Sequence, residues 1–436
     1  MTRRVLPADS DVVTADILGI GLFAQAFDRT LIDSVLQETG RREQRVRLLP
    51  AYVVVHLVLG LALHADKSYA EVIDRLAHAA HQIRGGRGTL TIPTGGAITA
   101  ARTRLGSAPL IALFNRAALP LAKRNRTHSF LEDLLVVEAS SAVLNVADSP
   151  ANARAFGYSP SSTAPFRSTL PQIRVSTLAE AGTQATIGAT LGPSSSDVQE
   201  LAVDMVKTYL RPGMLLITGQ QLYSPAMWVE TLSNGADLLS AVENSLPLPV
   251  ITVLPDGTYL STLPLGRGPV GPARARTVRV LTCLRASPDG DSAQFSLISS
   301  LLAPDEASAE QLLAVYAGRT DDSVVFTKFN AQSVPDARPL RSRKPDLVHQ
   351  EIWGHLLSHY AIRAFINQAA EEVGEPFDDP SDTGDIALVR HPAEAPSRRP
   401  ARAHSQNSNF DRNSTSLRRT DPANAVLIDN LPRIMR

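Results

Sequence analysis

The chain has 436 residues, with 43 basic and 43 acidic side chains, a formal net charge of zero and 44% hydrophobic content. This length suggests two or three domains, and the charge balance excludes a global field toward nucleic acid or anionic lipid, so any electrostatic footprint must be local. The single cysteine, Cys283, excludes an internal disulfide and has no partner at metal-ligand spacing, which fits a reducing cytoplasm.

At the start, "MTRRVLPADSDVV" lacks an apolar core long enough for a signal peptide, so residues 1–14 read as a flexible N-terminus without an export signal. From 15 to 126 the pattern is helical. "TADILGIGLFAQAFDRTLIDSVLQETG" spaces apolar residues three and four apart and stops at Gly40, a C-cap residue; further helices are expected at 50–64 and 68–82. "LLPAYVVVHLVLGLALHADKSY" carries His56 and His64 and falls short of the roughly 20 apolar residues that span a bilayer, so it reads as a buried helix and no membrane partner is expected. "GGRGTLTIPTGG" is a loop. "AITAARTRLG" is a short helix presenting Arg102 and Arg104, and the region closes on Lys123, Arg124 and Arg126.

From 131 to 373 the pattern turns α/β, giving an α+β chain as a whole. "LLVVEASSAVLNV" and "QIRVSTLAEAGTQATIGATLG" read as strands, the second run turning at Ala181 and Gly182. "SSSDVQELAVDMVKTYL" is an amphipathic helix capped by Ser or Asp, and "GMLLITG" a continuously apolar, buried strand that leads through "QQLYS" into another helix. Residues 247–302 supply hairpins, a β-rich insertion, before helices resume at "SAEQLLAVYAG" and "DLVHQEIWGHLLSHYAIRAFINQAA". Beyond about 374 the composition is rich in Pro, Ser, Asn, Asp and Arg and cannot bury enough surface to offset ordering entropy, so 374–436 is expected to be a disordered tail.

Three stretches carry a family resemblance: "DSPANARAFG" (148–157), "LRPGMLLI…LYS" (210–224) and "RKPDLVHQEIWGHLLSHYAIRA" (343–364). With the order of parts they resemble the DDE transposases of bacterial insertion sequences, the group with a helical N-terminal domain and an RNase H-like core interrupted by a β insertion. The resemblance covers about residues 15–370 and implies a site where three acids hold two Mg²⁺ ions for phosphodiester cleavage and strand transfer. Here the implied positions depart from the pattern. Counting back from Asp148 puts Ser140 at the first acid, while a two-residue slide offers Glu138. Anchoring on Tyr223 and Ser224 puts Gly219 at the second, and no Asp or Glu lies between Asp204 and Glu230. In the helical signature Tyr316 and Arg319 fit, but Ser323 stands at the Glu position and Asn330 at the Lys, with Asp321 and Asp322 as neighbouring carboxylates.

The reading is therefore a transposase-like protein whose metal site has been lost: no metal, no cofactor, and DNA binding without cleavage, as in a host-adopted regulator. An active enzyme using Mg²⁺ on unorthodox ligands such as Glu138 and Asp322 is the alternative, and a non-DNA-binding interaction protein or remnant a third. Double-stranded DNA is the expected partner, with nucleoid association if it binds; relatives of this fold act as dimers, which makes a homodimer an expectation. The DNA-contact candidates are Arg102, Arg104, Lys123, Arg124, Arg126, Arg319, Arg341, Arg343 and Lys344, each weighed against an ordinary solvated face or a local ion pair. Glu351, His355 and His359 share one helix face at four-residue spacing but lack a fourth ligand and read as structural. Trp353, Tyr360 and Ile362 read as core, and "GRGPVG" (266–271) lacks the strand and helix context of a nucleotide loop.

Overall fold

In a computed structural model of the chain, the residues described are 21–43, 45, 49–65, 67–83, 93–124, 129–159, 168–267, 273–286, 292–319, 324–327, 338–373 and 386–391. The N-terminal part is helical: after helical residues 21–26 come α1 (Arg29–Glu38), α2 (Ala51–Leu63), α3 (Tyr69–Ile83), α4 (Gly95–Leu105) and α5 (Ala108–Ala117). The first apolar run is broken where Asp28 caps α1 by accepting from Leu31 N at 2.7 Å. Gly40 then ends the helix at φ +66°, a conformation that favours glycine. Helix α2 is buried along most of its length because it packs against other helices, and no helix among the described residues is long and apolar enough to cross a membrane.

A mixed sheet follows: β1 (Phe130–Leu131), β2 (Leu134–Asn145), α6 (Pro150–Phe156), β3 (Gln172–Glu180), β4 (Thr186–Pro193), α7 (Val198–Tyr209), β5 (Met214–Thr218), α8 (Pro225–Ser233) and β6 (Asp237–Val242). The order β4-β3-β2-β5-β6, with β2, β5 and β6 parallel and β3 and β4 antiparallel, bears out the α/β core. Strand β6 and helix α6 add to the elements expected from periodicity. The insertion, β7 (Thr252–Val253), β8 (Tyr259–Arg267), β9 (Ala273–Ala286) and β10 (Ser292–Ser299), does not stand apart, for β10 pairs antiparallel with β6 and the whole forms one 11-stranded sheet. Then come α9 (Ala309–Ala317), the 29-residue α10 (Pro345–Val373) and β11 (Ile386–Val389), which pairs with β9. That strand and the two residues after it lie within the stretch expected as a tail; the remainder of 374–436 lies outside the described residues.

Alternation along the strands divides the core. Val137, Ala139, Met214 and Leu216 face α7 and α8, whereas Val136, Leu215 and Ile217 face α9. Burial on both faces explains why β5 is a continuous apolar run rather than an alternating one. A third cluster joins α1, α2, α4 and α5 to α10 and the far ends of β2 and β3. There α2 and α10 approach so closely that a Cβ on Gly354 would lie 2.8 Å from Val58 Cγ1 and 3.3 Å from its carbonyl oxygen.

Candidate active site

The sheet register settles which residues of β2 and β5 are neighbours. Glu138 lies opposite Ile217 and Ala139 opposite Thr218, so the next step places Ser140 beside Gly219, at the end of β5. By alternation Glu138, Ser140 and Gly219 share the face covered by α9. Glu138 is one step deeper in the sheet than Ser140, and both are buried. The Ser140 hydroxyl is engaged with Thr177 at 2.9 Å, and the Thr218 hydroxyl with Ser240 at 2.7 Å.

From the other side comes Arg319, just past α9. A Cβ on Gly219 would lie 3.0 Å from Arg319 Nη1 and 3.5 Å from Cζ, so a guanidinium fills the space into which a side chain at 219 would project. Arg319 is buried, its Nη2 donates to Tyr316 Oη at 3.2 Å, and its Cζ lies 4.8 Å from the Tyr316 ring centroid. A cation-π contact of this type holds the guanidinium in place. Divalent metal pairs take carboxylate oxygens. The described residues at this position offer a glycine, an engaged serine hydroxyl, an arginine and, one step deeper, the single carboxylate of Glu138; one carboxylate beside a guanidinium does not fit such a pair. Among the described residues no group of three His, Cys, Asp or Glu side chains is arranged to hold a metal. Ser323, Asn330, Asp321 and Asp322 lie outside the described residues.

The framework around this position is held by helix caps and buried polar contacts. Ser224 is the N-cap of α8, accepting from Met227 N at 3.1 Å, and burial pushes the Tyr223 phenol up to about 12. Ser149 caps α6, and its hydroxyl also donates to Arg343 O at 2.8 Å. Asn152, fully buried, donates to Ala147 O at 2.8 Å and Ser342 O at 2.9 Å. The stretches 148–157 and 343–364 thus meet across the loop before α10. Asn152 in this joint is not among the residues singled out from the sequence; a polar residue inside a capped helical stretch is the signal for it.

The cationic candidates separate sharply. Arg102 is not on the surface: it is 2% exposed, and its guanidinium donates to Gln350 Oε1 (2.7 Å), Tyr69 Oη (2.8 Å), Ser342 Oγ (3.2 Å) and Leu347 O (3.3 Å). It sits on the buried stripe of α4 with Ile98, Ala101 and Leu105, at three- and four-residue spacing, which corrects its reading as a phosphate contact. Arg319 is likewise withdrawn from any duplex by burial. Arg104 is partly exposed, with Glu43 at 4.0 Å. Lys123 is paired with Glu371 at 2.6 Å, and Arg124 with Asp133. Arg126 lies outside the described residues. Arg341 is half-buried, donating to Lys67 O and to Leu61 O (3.1 Å), with Glu351 3.8 Å from its Nε. Arg343 and Lys344 are exposed.

The face carrying Glu351, His355 and His359 is interior. Glu351 accepts from Arg341 N (3.1 Å), Ser342 N (3.0 Å) and Ser342 Oγ (2.6 Å), so its carboxylate fastens the loop before α10. Burial depresses both imidazoles, His355 to about 4 and His359 to about 3, with the nearby Arg363 adding to the second. Trp353 and Tyr360 are core residues and Ile362 packs beside them. Of "GRGPVG", residues 268–271 lie outside the described residues.

The insertion element 4 transposase N-terminal family matches residues 18–115. The transposase InsG for insertion sequence element IS4 of Escherichia coli (strain K12) is 24% identical over 365 residues, 79% of this chain and 76% of that protein. A cryo-EM structure of the piggyBac transposase synaptic complex with hairpin DNA aligns over 84% of this chain and 78% of that one, at 10% identity and a TM-score of 0.41. The first two matches bear out the resemblance read from the sequence: the chain is similar to the insertion sequence element IS4 transposases, in its N-terminal helices and at low identity over most of its length.

Proposed function

We propose that this protein binds duplex DNA without cleaving it, through a transposase fold that has lost its metal site. The observation that carries the reading is the place beside Gly219, where the Arg319 guanidinium stands in the space a carboxylate would enter. A fixed cation there repels a divalent ion, and a glycine offers it no carboxylate. The related proteins named as transposases support DNA as the partner, and the exposed Arg104, Arg343 and Lys344 supply unburied charge for phosphates. A homodimer on paired DNA segments is the assembly carried over with the reading.

The test is binding of the full chain to random-sequence duplex in EDTA, titrated from low to physiological salt, beside a nicking assay on supercoiled plasmid with Mg²⁺ or Mn²⁺. Metal-independent binding with a steep salt slope and no nicking is expected. Metal-dependent nicking that disappears in Glu138→Ala would overturn the reading in favour of an enzyme with unorthodox ligands. Absence of binding at low salt would leave an interaction protein or a remnant.

A further inference from the structure

A cavity of about 470 Å³ opens where the turn between α2 and α3 meets the loop before α10. Lys67, Ser68, Tyr69, Arg338, Arg341 and Glu351 line it. Three of these are cations and one is an acid, and the acid is occupied: both Glu351 oxygens accept from the backbone or hydroxyl of 341–342. The Tyr69 ring lies between two guanidinium groups, with Arg341 Cζ at 4.8 Å and Arg102 Cζ at 5.5 Å from its centroid. Tyr69 Oη is held by Arg102, so the ring is fixed by the same buried network that joins α4 to α10.

The loop beside the cavity is also basic. Arg338 lines the cavity and Arg343 and Lys344 follow Arg341 in the same loop; all three are exposed, and none of the described ion pairs involves them. The exposed acids nearby have engaged oxygens: Asp346 accepts from Ser107 N and Oγ, and Glu71 from Ser68 N. Asp66, between Ala65 and Lys67, lies outside the described residues. The loop is fastened to the carboxyl end of β2, where Leu340 N donates to Asn145 O at 2.8 Å and Ala147 N to Leu340 O at 2.9 Å. Ser140 lies five residues back from Asn145 along the same strand.

We propose that this cavity and the loop beside it are a phosphate-backbone site for duplex DNA, with Arg338, Arg343 and Lys344 meeting successive phosphates and Lys67 reaching from the α2–α3 turn. The inference rests on the DNA-binding reading and gives it a location. The site joins two parts of the chain, the N-terminal helices and the last helix, so one DNA segment would bridge both. Contacts of this kind position a duplex and carry no base sequence.

The experiment measures duplex affinity against salt for the unaltered chain, for Arg338→Gln/Arg343→Gln/Lys344→Gln, and for the control Lys207→Gln/Arg211→Gln at the opposite end of β5. Each lost phosphate contact lowers the log–log salt slope by about 0.9, so the triple variant is expected to be shallower by about 2.7, about 40-fold less loss over a fourfold rise in salt. The control is expected to keep its slope. Amide exchange provides a second readout, with slowing on duplex addition expected at 67–71 and 338–346. If the unaltered chain binds and the triple variant keeps its slope, the location is overturned while the DNA reading stands. If the unaltered chain does not bind, both fall.

Discussion

Two arginines two positions apart on α4 are expected to behave as different kinds of residue. Replacing Arg102 by Met keeps most of the side-chain volume and removes four hydrogen bonds of 2.7, 2.8, 3.2 and 3.3 Å from a 2% exposed guanidinium. Bonds from a charged donor contribute roughly 1.5–3 kcal/mol each, although they are not additive in a shared network. Gln350 Oε1 and Leu347 O would also be left buried without this donor. A loss of about 3–5 kcal/mol is therefore expected, comparable to removing one member of a buried charged pair. Arg104→Met removes an exposed side chain whose carboxylate neighbour, Glu43, is 4.0 Å away, and a loss of about 0–1 kcal/mol is expected. Urea unfolding followed by far-UV circular dichroism, with Arg102→Lys as an intermediate, measures the difference. Equal losses for the two Met variants, or a loss below about 1 kcal/mol for Arg102→Met, would refute the assignment of Arg102 as the joint between α4 and α10.

Gly219→Asp restores the expected acid at the end of β5, but the nearest group to its Cβ is Arg319 Nη1, so the carboxylate is expected to pair with the guanidinium and gain no Mg²⁺-dependent nicking; nicking by this single variant would show that the cation does not block the position. His355 and His359 are neutral in the fold, with values near 4 and 3, while an unfolded histidine titrates at about 6.5. Because the folded values are lowered, their contribution is complete above about pH 6.5 and declines as pH falls toward the folded values. Stability should therefore decrease from pH 7 to pH 5, and His355→Gln/His359→Leu should flatten that limb; an unchanged slope would mean that other groups dominate.

Much of the framework was legible because its signals are local. The run Met214–Thr218 is apolar without alternation, and the strand it forms is buried on both faces. Gly40 ends a helix where the apolar period stops. The strand Asp237–Val242 was not legible, since six residues directly after a helix leave too short a window for a period. At the candidate site the missing acid could be read at Gly219, but the group that occupies its place could not, because Arg319 arrives from 100 residues later in the chain. Arg102 was misread as surface although its spacing from Ile98, Ala101 and Leu105 puts it on the apolar stripe. Its charge favours the surface and its phase the interior, and a guanidinium with four partners satisfies both.

The crossing of α2 and α10 at Gly354 bears on the order in which the chain acquires structure. The helices of residues 29–117 place Val54, Val55, Val58 and Leu59 in a cluster that is closed by Val348, Ile352, Leu356 and Leu357, nearly 300 positions later. During synthesis the N-terminal bundle emerges with this seam open and must wait for the sheet and its insertion before the last helix arrives. Loop closure over that separation makes the seam a late, slow contact. What a sequence comparison marks off as an N-terminal unit is thus one half of a helical body, whose apolar seam stays uncovered until the last helix is made.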